Sequence, residues 1–357
     1  SSVHGHGTGD VLEAVCSHLP QGTQVPQDDE RIAVAVIGRP NVGKSTLMRR
    51  VAALAQEAGE PVEYILCSGD PDSLDAILLP GKKAALVDGT APHVVEPKYP
   101  GVVEQYINLG KCYDHNGMEG LRTAIISCMR GYKGHYQRAY RCLDAAAELM
   151  YDVRSTLDSD ALEEKLSKRA RGILDRELKP RKGAPAGTVK QRFLGAVTHR
   201  GQMCLWGTEC QCQRIYELSD RYGLAHRMLA HLLSGALKAG YDVVACPSPM
   251  APDRLEHLLI PQLSLAFLSS SPAHPYPGKA YRRLLLDNAV SADLLRRSRP
   301  RLRFSQKITS ALMDEAVDSL SQAKAMHDDL EALYHPYVNF ELVDETALAI
   351  AAELSLL

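Results

Sequence analysis

The chain has 357 residues, of which 45% are hydrophobic and 24% are charged, and its formal net charge is −2. This length exceeds what a single hydrophobic core usually serves, so we expect about two or three domains. The near balance of charges excludes a global attraction to nucleic acid or to an anionic membrane. Nine cysteines without framework spacing, no secretory leader pattern and no membrane-length apolar run predict a reduced, cytoplasmic protein without a membrane partner.

The first predicted strand covers residues 31–37, RIAVAVI, and the loop GRPNVGKST follows it directly. A helical pattern, TLMRRVAALAQEA, continues from the loop, and strand, glycine-rich loop and helix in this order are the context of a P-loop. In such a loop the backbone amides and the helix N-terminus face phosphate oxygens. The residues predicted to bind nucleotide are Gly38, Arg39, Pro40, Asn41, Val42, Gly43, Lys44, Ser45 and Thr46. By the chemistry of phosphoryl transfer, Lys44 contacts the β- and γ-phosphates, Ser45 holds Mg²⁺ and Thr46 lies near the α-phosphate.

A later apolar strand, AALVD, ends in Asp88, and a carboxylate at this place predicts a second Mg²⁺ ligand of the Walker B kind. The alternative is a loop aspartate that caps a turn. For catalysis we assign Lys44, Asp88 and His93, with Glu96 and Asp70 as further candidates beyond strand ends. A purely structural role for His93 stays open, because His274 occupies the matching place in a sequence repeat described below.

The motifs that would identify a guanine nucleotide are incomplete. Asp88 is followed by Gly-Thr-Ala instead of a D-x-x-G motif, and no Asn-Lys pair occurs anywhere in the chain. ATP is therefore predicted by elimination, with Mg²⁺ as its metal. Two alternatives stay open: a GTP-binding switch, from the spelling of the loop, and a small-molecule kinase in which CSGDPDSLD holds the acceptor.

The sequence repeats itself. A shift of 181 residues places Gly59 on Gly240, and both copies predict a helix, a strand, a helix start at Pro-Asp and a second strand. We therefore predict an α/β fold of two tandem P-loop NTPase-like domains, each a mainly parallel sheet flanked by helices. The predicted domains are residues 1–180 and 190–357, with added helical hairpins at about 119–177 and 305–355 and a Pro/Gly-containing boundary between the domains.

The second copy lacks the phosphate chemistry, because Ala225 stands opposite Lys44 and Ser269 opposite Asp88. It is predicted to be catalytically inactive, and either completes the active half or only packs against it. A run of arginines at 296–303 could contact phosphate or nucleic acid, but a solvated loop is favoured because no aromatic platform accompanies it. Nucleic acid is therefore not predicted as a partner, whereas a protein partner or a homo-oligomer stays open.

The stretch DGTAPHVVEPKYPGVVEQYINLG, residues 88–110, resembles an uncharacterised bacterial family of tandem P-loop ATPase-like proteins. The segment YHPYVNFELVDE, residues 334–345, resembles the corresponding end of that family's second copy. The resemblance spans nearly the whole chain and implies two P-loop folds, with Lys44, Ser45 and Asp88 as nucleotide and magnesium residues. The resulting hypothesis is a slow Mg²⁺-dependent ATPase whose turnover drives motion between an active and a degenerate half.

Overall fold

The structure is a computed structural model that describes residues 33–37, 43–90, 95 and 99–357. The predicted site residues 38–42, His93 and Glu96 lie outside the described residues. Two compact units are present. The split unit combines the described residues up to Ala139 with Asp318–Leu357, and the central unit is Tyr140–Val317.

The split unit contains a five-stranded sheet of order β2-β3-β4-β1-β5. Its strands are β1 Ala33–Ile37, β2 Glu63–Leu66, β3 Leu74–Leu79, β4 Ala84–Asp88 and β5 Glu104–Asn108. β1 pairs in parallel with β4 and β5, whereas β3 is antiparallel to both β2 and β4. The prediction of a mainly parallel sheet is therefore wrong, and the sheet is mixed. The physical reason is the connection between β3 and β4, a 3-10 turn at Pro80–Lys82, which is too short for the crossover that parallel neighbours require.

The helix start predicted at Pro71-Asp72 is also absent from the segment between β2 and β3, all of which is described. The Asp70 carboxylate instead accepts hydrogen bonds from the Asp72 amide (3.2 Å) and the Ser73 hydroxyl (2.8 Å). This side-chain closure makes a tight turn, and the chain then returns alongside β2 as β3.

Helix α1, Lys44–Glu57, covers this sheet with one apolar face. Its buried residues are Leu47, Met48, Val51, Ala52, Leu54 and Ala55. The same core contains Val343, Ala347, Ile350 and Ala351 of the last helix of the chain, α6, which is Phe340–Glu353. The Asn339 side chain caps that helix by accepting a hydrogen bond from the Leu342 amide at 3.1 Å. The core above the first sheet is thus completed by a segment from the far end of the sequence.

The central unit contains a six-stranded mixed sheet of order β13-β9-β12-β11-β10-β6 and a separate β7-β8 hairpin. Its strands are β6 Val189–Gln191, β7 Gly195–Thr198, β8 Gly201–Cys204, β9 Arg214–Ser219, β10 Val243–Ser248, β11 Ala251–Ile260, β12 Leu265–Ser270 and β13 Arg282–Leu285. β9 is parallel to β12 and β13, and β11 is antiparallel to β10 and β12. Five of its strands therefore repeat the order and the pairing senses of the first sheet.

Further features recur at the 181-residue shift. Helix α4 of the central unit, Ala225–Lys238, stands where the shift places α1, and the turn Pro261–Leu263 stands where it places Pro80–Lys82. Each turn ends in a residue of positive φ, Lys83 at 52° and Ser264 at 47°. The origin of the two sheets by tandem duplication stays a prediction.

The predicted hairpin segments are helical, but their helices divide between the units in an unexpected way. The first segment forms α2, Arg122–Thr156, and α3, Asp160–Glu177; the second forms α5, Ala292–Tyr334, and α6. In the central unit α3 packs on α4, and in the split unit α6 packs on α1. The last helix of each predicted segment, α3 or α6, thus packs on the helix that covers the sheet formed by the other segment, α4 or α1. The compact units therefore differ in their boundaries from the predicted segments 1–180 and 190–357. That these two segments are homologous domains stays a prediction.

The arginine run at 296–303 lies inside α5, so the predicted loop there is wrong. Within the central unit Arg301 forms an ion pair with Asp152 of α2, and Arg296 one with Asp293 at 2.6 Å. None of the described helices is both long and apolar enough to span a membrane.

Candidate nucleotide site

The N-terminus of α1 opens onto a cavity of about 780 Å³ in the split unit. Gly43 directly precedes the helix with a φ of +93°, and its carbonyl accepts the first helical hydrogen bond from the Leu47 amide at 2.8 Å. A Cβ at Gly43 would lie 3.3 Å from Val343 Cγ2. Both the backbone conformation and the close approach of α6 therefore require glycine here.

The cavity is large enough for a nucleoside triphosphate, because small-molecule sites commonly have volumes of about 300–1,000 Å³. Its wall brings together residues from α1, the β2-β3 connection, β3, β4 and α5. Among them are Gly43, Lys44, Ser45, Thr46, Asp70, Asp75, Asp88, Lys324 and His327. The described members of the predicted nucleotide set thus line one cavity.

Lys44 and Asp88 form an ion pair at this wall. Lys44 Nζ lies 2.6 Å from Asp88 Oδ2 and 2.7 Å from Thr90 Oγ1. Thr90 in turn donates to Asp88 Oδ1 from its amide (2.9 Å) and from its hydroxyl (2.6 Å). The two residues meet because β1 and β4 are parallel neighbours, so α1, which follows β1 in the chain, begins at the edge of the sheet where β4 ends. Thr90 was missed in the sequence, although its place two residues after Asp88 is typical of a side chain that fixes a carboxylate.

Ser45 connects the start of α1 to the start of β3. Its hydroxyl oxygen accepts a hydrogen bond from the Leu74 amide at 3.2 Å. The next residue, Asp75, is only 5% exposed and accepts a hydrogen bond from the Cys67 thiol. Its Oδ2 atom has no hydrogen-bond partner among the described residues. Burial raises the pKa of Asp75 to about 6, and the negative charge of Asp88 acts in the same direction.

These residues suit Mg²⁺, which prefers oxygen ligands and usually takes one or two carboxylates from the protein. The Ser45 hydroxyl and the Asp88 carboxylate are such ligands, and the unpartnered, buried Oδ2 of Asp75 is a third oxygen that lacks a positive group. These oxygen atoms therefore fit a divalent cation.

A further part of the cavity wall is charged and comes from α5. Lys324 Nζ lies 3.6 Å from Asp70 Oδ2 and also contacts Asp328. The ligand atoms of His327, Asp328 and Glu331 lie within 4.8 Å of one another, which is a spacing compatible with a metal ion. Because the Lys324 ammonium already neutralises Asp328, we interpret these residues as a charge network facing the cavity. The sequence could not indicate this wall, since α5 follows the P-loop by most of the chain length.

The helix that corresponds to α1 in the central unit has a different N-terminus. Ala225 is its first residue, and the Asp220 carboxylate accepts hydrogen bonds from the Ala225 amide (2.6 Å) and the Tyr222 amide (3.1 Å). Gly223 is packed against Arg154, because a Cβ added at Gly223 would lie 3.3 Å from Arg154 Cδ. Amides that face phosphate in a P-loop are thus occupied by a side chain of the same chain. That the central unit is catalytically inactive stays a proposal.

The stability of the central unit should depend on pH through the carboxyl group of Glu256. Burial raises its pKa to about 7, and the charge of Asp220 adds to the increase. Because the pKa is raised in the folded state, the protonated Glu256 carboxyl favours folding. This contribution to the free energy of unfolding is fully present below the unfolded pKa, near 4.5, and is lost as the pH rises through about 7. We expect Glu256→Gln to raise the free energy of unfolding at pH 8 by up to about 3 kcal/mol and to have little effect at pH 4.5.

Urea unfolding at the two pH values measures this difference. Glu164→Gln, at an exposed position of the same unit, is the control and should change stability at neither pH. An equal effect of Glu256→Gln at both pH values would contradict the expectation.

A glycine before a helix start, a lysine and a hydroxyl in its first turn, and a strand-end carboxylate paired with that lysine form the arrangement that is typical of P-loop nucleotide-binding proteins. Comparison with known proteins agrees with this class. The family model described as 50S ribosome-binding GTPase matches residues 33–63. No solved structure matches the chain.

Several similar proteins carry the name GTPase Der. The one from Microcystis aeruginosa is 40% identical over 79 residues, which are 22% of this chain and 16% of that protein. The one from Prochlorococcus marinus is 45% identical over 62 residues, 17% of this chain and 14% of that protein. The one from Synechocystis is 39% identical over 90 residues, 25% of this chain and 19% of that protein. The chain thus spans less than a fifth of the length of these relatives. The similarity is to named GTPases, whereas the sequence resemblance had indicated an uncharacterised ATPase-like family.

Proposed function

We propose that the split unit binds a nucleoside triphosphate with Mg²⁺ and hydrolyses it. One observation carries the proposal: Lys44 Nζ lies 2.6 Å from Asp88 Oδ2 at the wall of a cavity onto which the α1 N-terminus opens. Both side chains are largely shielded, being 11% and 17% exposed. A lysine held in this way is ready to exchange its carboxylate partner for phosphate oxygens when nucleotide enters.

Each residue then has a defined task. The amides at the start of α1 receive the phosphates, and Lys44 contacts the β- and γ-phosphates. Ser45 and Asp88 hold Mg²⁺, and Thr90 keeps the Asp88 carboxylate in its orientation. When bound, Mg²⁺ neutralises the charge that develops on the phosphate oxygens. The residues at 38–42 and the catalytic candidate His93 belong to the proposal as sequence predictions.

GTP is the first candidate for the nucleotide, because the similar proteins are named GTPases and the matching GTPase family model covers the P-loop residues. ATP is the second candidate, and a specific observation favours it: the full sequence contains no Asn-Lys pair with which guanine is usually read. In either case the central unit acts as a non-hydrolysing copy, and turnover in the split unit would drive the motion between halves predicted from the sequence.

Competition binding tests the proposal. A fluorescent nucleoside triphosphate is bound to the full chain and displaced by GTP or by ATP, and phosphate release is followed with and without Mg²⁺. We expect GTP to displace the probe at lower concentration and phosphate release to require Mg²⁺. Tighter binding of ATP would assign the second candidate, and transfer of labelled phosphate to a metabolite would indicate a kinase. Failure to bind either nucleotide would refute the proposed function.

A further inference from the structure

The Asp75 carboxylate in the wall of the cavity has an oxygen without a hydrogen-bond partner among the residues that the structure describes. This oxygen is Oδ2, and Asp75 lies on β3 and is 5% exposed. A buried carboxylate oxygen that lacks a partner is destabilising, so it requires a physical explanation.

The neighbouring protein groups do not provide one. Lys44, the cation whose charge acts on Asp75, directs its ammonium to Asp88 and Thr90 instead. Asp88 carries a like charge and disfavours the ionised form of Asp75. Cys67 donates a single, weak hydrogen bond. What the site lacks is a positive group in the cavity, next to Asp75.

The position of Asp75 indicates which cation this is. The Leu74 amide donates a hydrogen bond to the Ser45 hydroxyl, so the start of β3 lies next to the serine that holds Mg²⁺ in P-loop proteins. Resting on the proposed function, we propose that Asp75 is a further carboxylate of the divalent-cation site, which it reaches directly or through a bound water. The site then has three oxygen donors, from Ser45, Asp75 and Asp88, instead of the two expected from the sequence.

The central unit provides an internal comparison. The 181-residue shift places Asp75 on Glu256 and Cys67 on Ser248. The Glu256 carboxyl accepts a hydrogen bond from the Ser248 hydroxyl, as Asp75 does from the Cys67 thiol. Ala225 and Ser269 replace Lys44 and Asp88 there, so the rest of a cation site is missing. A carboxyl at this position that served only the fold would behave alike in both units, whereas a cation ligand has consequences only in the split unit.

The experiment measures Mn²⁺, a spectroscopic substitute for Mg²⁺, by electron paramagnetic resonance on the full chain with bound nucleoside triphosphate. We expect Asp75→Asn to raise the Mn²⁺ dissociation constant by at least about tenfold. Nucleotide binding in the presence of a chelator should change by less than about twofold, because phosphate contacts to Lys44 and the α1 amides remain. Glu256→Gln is the matched control and should leave Mn²⁺ binding unchanged.

A second variant, Asp75→Glu, keeps the carboxylate and introduces the residue that the central unit has at this place. It should bind Mn²⁺ more tightly than Asp75→Asn. Wild-type Mn²⁺ affinity in a folded Asp75→Asn protein, or a glutamate variant no better than the asparagine variant, would overturn the assignment. These outcomes differ from failure of the proposed function, in which the wild-type chain itself binds no nucleotide.

Discussion

Replacement of Lys44 by alanine is expected to weaken nucleotide binding by about 100-fold and to abolish measurable hydrolysis. In the proposed site the ammonium donates charge-assisted hydrogen bonds to phosphate, each of which contributes about 1.5–3 kcal/mol, and two such contacts at the lower end of this range account for the factor. The loss in hydrolysis is larger, because the same ammonium stabilises the charge that develops on the phosphate oxygens in the transition state. Calorimetric titration and a phosphate-release assay measure the two effects.

Lys82→Ala is the control for this variant. Its ammonium lies 3.6 Å from Glu60 in the same unit, outside the cavity wall, so both nucleotide binding and hydrolysis should be unchanged. Combining Lys44→Ala with Asp88→Ala separates the ion pair from the chemistry, since the stability lost with either partner alone should be partly recovered in the double variant. Hydrolysis at the wild-type rate by Lys44→Ala would remove Lys44 from the mechanism.

A chain ending at residue 180 is expected not to form a nucleotide-binding unit, although it contains the whole P-loop and Asp88. It lacks α6, and with it four buried side chains that complete the core over α1: Val343, Ala347, Ile350 and Ala351. Removing one buried aliphatic side chain costs roughly 1–5 kcal/mol, and the stability of a whole domain is only about 5–15 kcal/mol. Far-ultraviolet circular dichroism, urea unfolding and nucleotide titration of this fragment against the full chain provide the measurement.

A point variant makes the same test in the full chain. Ala347 is fully buried in the core over α1, so Ala347→Asp should destabilise the split unit and weaken nucleotide binding, whereas Glu341→Ala, on the partly exposed first turn of α6, should do neither. A peptide of residues 318–357 added to the fragment should restore part of the binding. If the fragment alone bound nucleotide with full affinity, the exchange of helices would have no energetic importance.

Some features of the site follow from the sequence because they are local. The order of strand, loop and helix places the Lys44 ammonium and the α1 amides together without reference to the rest of the chain. Asp88 could be paired with Lys44 because the carboxyl ends of parallel strands meet at one edge of a sheet. The unpartnered oxygen of Asp75 could not be foreseen, because an aspartate in CSGDPDSLD reads equally as a turn residue until its burial is known.

Two differences between prediction and structure have separate causes. The sheet is mixed because the β3-β4 connection is a single tight turn, although the apolar runs themselves are compatible with either pairing sense. The segments predicted as helical hairpins are helical, but their last helices pack in the opposite units. The apolar periodicity shows that α3 and α6 each have an apolar face. It contains no information about which of two similar helices, α1 or α4, packs against that face.

The sequence by itself therefore predicted a nucleotide loop ending at Lys44 and Ser45 and a carboxylate, Asp88, close to it, and it determined the repeat of 181 residues and the helical character of the long segments. All of these depend on neighbouring residues or on internal similarity. Only the tertiary structure decided that α6 completes the core behind Gly43, and that Lys324 and His327 of α5 line the cavity at the start of α1. Two copies of one pattern offer equivalent packing partners, and the choice between them depends on side-chain contacts that form only in the folded chain.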